Sequence, residues 1–281
     1  MTKLIPNLIS WVKSNILTAL LGLVVLASVV GGIFIVSSLR QTQQSIEEVD
    51  LLFDPEGPFA ILTPRRDGNA LILNIERTAS YDAISYELAY SAQGIDRGVV
   101  GNIDTKQKKG EYQQEVLFGT CSKNVCKYDT GVENGTLTLH IKKAGQAYRM
   151  ITTWHLQKPD VALGLLTSGD NHLVYKIDPK IKDLSIVGYS IINDLSAAPK
   201  LPQDWDVVGK VYSLRTPLAK DLPGGQVSIE LADKPLMGSK IGYFNESAGN
   251  WVQLEATASG SKLIASSPSE GIFTVFTPKS R

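Results

Sequence analysis

Three groups of residues have types and spacings that chemistry can use. Ser168, Asp170 and His172, in Ser-Gly-Asp-Asn-His, supply a hydroxyl, a carboxylate and an imidazole. Those are the parts of a nucleophilic triad, which works only when the base reaches the hydroxyl proton and the acid orients the base. Such residues are also common in loops, and the loop reading is the better one. Asp204 and Asp206, in Asp-Trp-Asp, offer oxygens to a calcium ion, but the rest of a calcium loop is missing and a surface turn explains them. Cys121 and Cys126 are the chain's two thiols. A tetrahedral zinc site needs further ligands, and the gap between them is wider than that of a thioredoxin-like redox motif. A disulfide across a hairpin in an oxidising compartment is the natural reading, and so small a ring adds only roughly 2 kcal/mol.

The remaining histidines are expected on solvent-facing sides of strands: His140 opposite Leu137, Leu139 and Ile141, and His155 opposite Trp154 and Leu156. There is no Walker loop, dinucleotide fingerprint, HExxH or nucleophile elbow. The sequence therefore assigns no catalytic, cofactor-binding or metal residue, and no cofactor.

The elements that would position these groups begin with an apolar run. Ile16 to Val36 is almost continuously apolar and no charge lies between Lys13 and Arg40. At 1.5 Å per helical residue such a run matches the bilayer core of about 30 Å. Its fourteen Leu, Ile, Val and Phe residues favour insertion by roughly 4 to 8 kcal/mol. A cleaved signal peptide would have a shorter apolar core. Residues 15–38 are thus expected to be a transmembrane helix in contact with the lipid bilayer. Lys3 and Lys13 before it, against Glu47, Glu48 and Asp50 after it, place residues 1–14 in the cytoplasm by the positive-inside rule. Ala27 with Gly31, and Ser28 with Gly32, have the small-residue spacing that lets two membrane helices meet, so a homo-oligomer through this helix is one expectation.

All 28 acidic residues follow Arg40, with 25 of the 28 basic ones. That slight acidity argues against nucleic-acid binding, and the Lys106, Lys108, Lys109 cluster reads as a solvated loop. Residues 39–54 are expected as a stalk in which Ile46, Val49 and Phe53 follow near-helical spacing, ended by Pro55 and Gly57.

From Phe59 the period changes to two. Leu71, Leu73 and Ile75 alternate with polar residues, and Ile84, Tyr86, Leu88 and Tyr90 occupy one face of a second strand. Further strands are expected at 98–103, 113–120, 136–142 and 147–156, separated by turn-rich segments. With no amphipathic helix between them, residues 55–158 resemble immunoglobulin or fibronectin type III sandwiches in architecture. Strand patterns resume in 159–281, at 161–166, 173–177, 184–192 and 227–231.

Within 159–281, Tyr212, Tyr243, Phe244, Trp251, Val252, Leu254 and Phe273 follow an order of aromatic strands and a polar turn. In this order, Lys210 to Phe276 resembles the β-sandwich modules of bacterial surface proteins, akin to the zonula-occludens and netrin-receptor type. Some relatives cleave themselves at a His-Phe-Ser sequence in the last strand. Here that place reads Gly271, Ile272, Phe273, Thr274, without histidine, and the activity is not carried over. The resemblance implies a structural role.

The expectation is an all-β ectodomain of two antiparallel β-sandwich domains on one N-terminal transmembrane helix. It is non-enzymatic, presenting a binding, adhesion or scaffolding surface to an envelope protein or glycan. Alternatives are a subunit of a secretion or pilus-like assembly, against which no pilin processing site precedes the apolar run, and a membrane-tethered hydrolase of envelope polymers. Paired carboxylates with shifted pKa values would favour the hydrolase.

Overall fold

Alternating apolar residues need a partner surface, and here each alternating strand finds one in a facing sheet. A computed structural model describes residues 47–279 apart from 107–109, 124, 159–163, 179–187 and 218–221. The chain divides into two units, Met1–Glu47 and Glu48–Arg281, of which the second is described here. Among the described residues no helix is long and apolar enough to cross a membrane, and the apolar run of 15–38 lies outside them.

The protein is all-β. The first region contributes β1 (Val49–Asp50), β2 (Phe59–Pro64), β3 (Ala70–Glu76), β4 (Ala83–Ala92), β5 (Ile95–Ile103), β6 (Glu111–Leu117), β7 (Gly119–Ser122), β8 (Val125–Tyr128), β9 (Asn134–Lys143) and β10 (Gln146–Gln157). The second contributes β11 (Leu165–Thr167), β12 (Leu173–Ile177), β13 (Ser190–Leu195), β14 (Trp205–Arg215), β15 (Pro223–Glu230), β16 (Lys240–Asn245), β17 (Asn250–Leu254), β18 (Ala256–Ser259), β19 (Lys262–Ser269) and β20 (Gly271–Pro278).

One long sheet runs through both regions in the order β17-β16-β20-β14-β13-β10-β9-β4-β5, with β1 parallel to β10. The join is antiparallel pairing of β10 with β13, Trp154 opposite Asn193 and Gln157 opposite Ser190. A three-stranded sheet, β2-β3-β6, faces the β10-to-β5 half, and a five-stranded sheet, β11-β12-β15-β19-β18, serves the other half. Leu71, Leu73 and Ile75 meet Tyr86, Leu88 and Trp154 in the first core. Tyr175, Val227 and Leu263 meet Tyr212, Tyr243 and Phe273 in the second.

A third cluster joins the two regions. Phe59 and Ile61 project from the far side of β2 onto Leu195, Val211 and Ile272 of the long sheet. Strands β13 and β20 are consequently buried on both faces, which is why Ser-Ile-Ile-Asn-Asp-Leu and Gly-Ile-Phe-Thr-Val-Phe lack clean alternation.

Two connections are two-residue turns with positive φ at both centres, Gln93-Gly94 and Ala144-Gly145, the geometry that matches strand twist. The helical spacing expected through Phe53 is not followed at Val49–Asp50, which pair with β10 instead. Backbone groups of Tyr148 and Arg149, left open where β13 stops, capture this segment, and Arg149 fixes Asp50 at 2.7 Å. Residues 41–46 lie outside the described residues.

Candidate functional site

The Ser168, Asp170, His172 segment forms the turn between β11 and β12. Asp170 Oδ1 accepts the Ser168 hydroxyl at 2.6 Å and the His172 backbone N–H at 3.1 Å, and Ser168 Oγ accepts the Leu173 N–H at 3.0 Å. The His172 ring approaches Asp170, at 3.6 Å, with half its side chain exposed. Ser168 thus donates its proton to the carboxylate and not to an imidazole. The three residues lock a turn, and the triad is not assembled.

The same Asp170 anchors a larger network that sequence reading missed. Its Oδ2 accepts Lys210 Nζ and the Tyr212 hydroxyl, each at 3.0 Å. Lys210 also reaches Asp194 at 3.0 Å, and Asp194 accepts the Thr153 N–H and, at 3.1 Å, the Thr153 hydroxyl. A register shift in β14 between Val208 and Tyr212 sets Lys210 at this junction. Burial works against the Asp170 charge, but Ser168, His172 N–H and Lys210 outweigh it and hold the carboxyl down at about 2. Burial alone would lower the Lys210 ammonium, yet Asp194 and Asp170 raise it above its ordinary value. Burial, reinforced by Asp170, raises the Tyr212 phenol strongly. A lysine kept charged between two carboxylates cannot act as a base. This network ties the β11–β12 turn to β10, β13 and β14.

Paired carboxylates do occur elsewhere. Glu76 lies directly opposite Glu111 across β3 and β6, and burial, then Glu111, raise its carboxyl against the opposing pull of Arg77 and Arg215. It lines a cavity of about 200 Å³ with Glu246, Phe59 and Phe244, and Arg215 pairs with Glu246. Pockets that hold small ligands usually have about 300–1,000 Å³. At about 200 Å³ the cavity falls below that range and lies beside β2.

A second cavity, of about 300 Å³, is lined by Leu51, Phe53, Tyr81, Lys143, Tyr148 and Met150. Lys143 sits 5.1 Å from the centre of the Tyr81 ring, and burial raises that phenol. Its walls are more apolar than polar, with Asp54 beside Lys143 and the two tyrosines. No family model, curated protein or solved structure matches this chain.

Cys121 and Cys126 stand directly opposite each other in the β7–β8 hairpin, their sulfurs bonded at 2.01 Å. Nearly every residue of that hairpin is exposed, so the bond braces a projecting ribbon and not a core. Among the described residues no group of three or more His, Cys, Asp or Glu is gathered as for a metal ion. Asp206 faces Lys279 at 3.9 Å. His140 and His155 are not free surface groups: their rings bond Glu48 at 2.9 Å and Asn134 at 2.7 Å.

Two amides complete the picture. Asn193 donates to the Ala60 carbonyl at 2.9 Å and accepts the Leu62 N–H at 3.3 Å, and Gln157 accepts the Thr167 N–H at 2.6 Å while its Nε2 lies 3.4 Å from the Leu165 carbonyl. Arg77 adds bonds to the carbonyls of Pro55 and Ala198. Each of these three side chains joins separate segments of the chain. An isolated amide within an apolar run, as in Ser-Ile-Ile-Asn, was the available signal for Asn193.

Proposed function

We propose that this chain is a membrane-anchored, extracytoplasmic, non-catalytic protein that holds a β-rich body at the cell envelope as a binding or scaffolding surface. In this reading residues 15–38 span the bilayer, and the body consists of two antiparallel sandwiches. The first is immunoglobulin-like in architecture, and the second is akin to the netrin-receptor type.

The observation that carries the reading is that the chemistry-bearing side chains are consumed in stitching. Asp170, Lys210, Asp194 and Asn193 each bind elements distant in sequence, which suits a body that must keep its shape when held at one end. The paired cysteines agree with an oxidising compartment.

The test is proteinase digestion of intact cells, followed by non-reducing peptide mapping around Cys121 and Cys126. Digestion of the β region from outside, with the two cysteines linked, supports the proposal. A β region protected until the membrane is broken, with free thiols, overturns it.

A further inference from the structure

We propose that two copies of this chain join edge to edge through β5, antiparallel about a two-fold axis at Val99. The proposal is independent of the membrane reading.

Most free sheet edges of this protein are guarded. The free edge of β2 is stitched by Asn193 and that of β11 by Gln157. Strand β6 carries Glu111, Gln113, Gln114 and Glu115, the polar dress that keeps an edge from pairing. Strand β18 spans four residues. The long sheet ends on one side in the five-residue β17 and on the other in β5, which spans nine residues and pairs with no described strand besides β4. It leaves Val100 76% and Ile95 55% exposed. Its arginine, Arg97, is turned to Asp129 at 3.5 Å.

The register says which backbone groups point outward. The two-residue turn at Gln93-Gly94 makes Ala92 and Ile95 a pair that exchanges both hydrogen bonds, and the pattern alternates from there. Ile95, Arg97, Val99, Gly101 and Ile103 therefore bond β4. Asp96, Gly98, Val100 and Asn102 direct their N–H and C=O groups away from it.

An axis at Val99 pairs these outward residues with one another: Asp96 with Asn102 of the second copy, and Gly98 with Val100, each twice by symmetry. Every outward donor and acceptor is then used. The side chains agree with this register. The exposed Val100 stands opposite a glycine, Arg97 opposite Gly101, Ile95 opposite Ile103, and no like charges face each other across the pair. Such a self-complementary patch is what an isologous dimer requires.

The experiment is oxidative cross-linking of the full-length chain, in mild detergent, carrying Val99→Cys. Only residue 99 meets its own copy directly, at about 4.5 Å between Cα atoms, within reach of a disulfide. Arg97→Cys is the control, since residue 97 is displaced from its own copy by about 13 Å. A covalent dimer with Val99→Cys and not with Arg97→Cys is expected. Adding Val100→Pro removes an outward N–H without touching a bond to β4, and loss of the dimer with unchanged thermal unfolding is expected. Equal cross-linking at 97 and 99, none at 99, or a folded Val100→Pro chain that still cross-links overturns the proposal. If Val100→Pro does not fold, the comparison of 97 with 99 decides.

Discussion

Asn193 and Gln157 lie on paired strands, β13 and β10, and each turns its side-chain amide to the edge of a different sheet: Asn193 to β2, Gln157 to β11. Each amide spans a carbonyl and an N–H two residues apart, imitating the backbone of a neighbouring strand. The seam of the long sheet therefore closes both flanking sheets at once.

Asn193→Ala leaves the Leu62 N–H and Ala60 carbonyl buried and unpaired, and is expected to destabilise the protein by about 2–4 kcal/mol. Gln157→Ala, whose donor contact is long, is expected to remove about 1–2 kcal/mol. Equilibrium urea unfolding measures both, and equal losses would show that the two amides hold their sheet edges equally well.

The Trp154 indole covers Gly135, its direct partner across β9 and β10. A Cβ at residue 135 would lie less than 3.0 Å from both the indole and the Ala89 carbonyl. Gly135→Ala is expected to cost about 1–3 kcal/mol by overpacking. Trp154→Ala should relieve part of that cost, so the double variant is less unstable than the sum of the two. Strict additivity in a double-mutant cycle would show that the indole is not the obstacle.

Asp170 gives the protein a pH dependence of known sign. Its folded carboxyl sits at about 2, below the unfolded value of 3.8, so its stabilisation is complete above about pH 4 and is lost as the pH falls toward 2. Roughly 2 kcal/mol should disappear across that window, and Asp170→Asn should flatten it. Thermal midpoints of the two proteins between pH 2 and 5 supply the measurement.

Reduction of Cys121–Cys126, or replacement of both by Ser, is expected to lower global stability by no more than roughly 2 kcal/mol, because the ring is small and the hairpin exposed. Amide hydrogen exchange should quicken in β7 and β8 and remain slow in β9 and β10. Loss of protection throughout the first region would show that the hairpin supports the core.

Half-buried strands are legible in the sequence because one face meets water: Leu71, Leu73 and Ile75 in β3, and Ile84, Tyr86, Leu88 and Tyr90 in β4. Strands β13 and β20 are harder to read, since burial on both faces erases the alternation. The single strand expected at 113–120 is two strands. Phe118 turns into the core beside Tyr90 and Trp154, and Gly119, with φ of 133°, redirects the chain. The Asp170–Lys210–Asp194 network has no local signature, because its members are brought together by the β14 irregularity and not by spacing.

The packing of β2 also sets the order of events during biogenesis. Phe59 and Ile61 rest on Leu195, Val211 and Ile272, so a chain emerging from the ribosome makes these apolar side chains about 135 to 210 residues before the several parts of their cover. At about 5–20 residues per second, the cover is complete only on the order of 10–40 s after these residues emerge. During that interval the surface is open to a holding chaperone, whereas in the folded protein both side chains are buried.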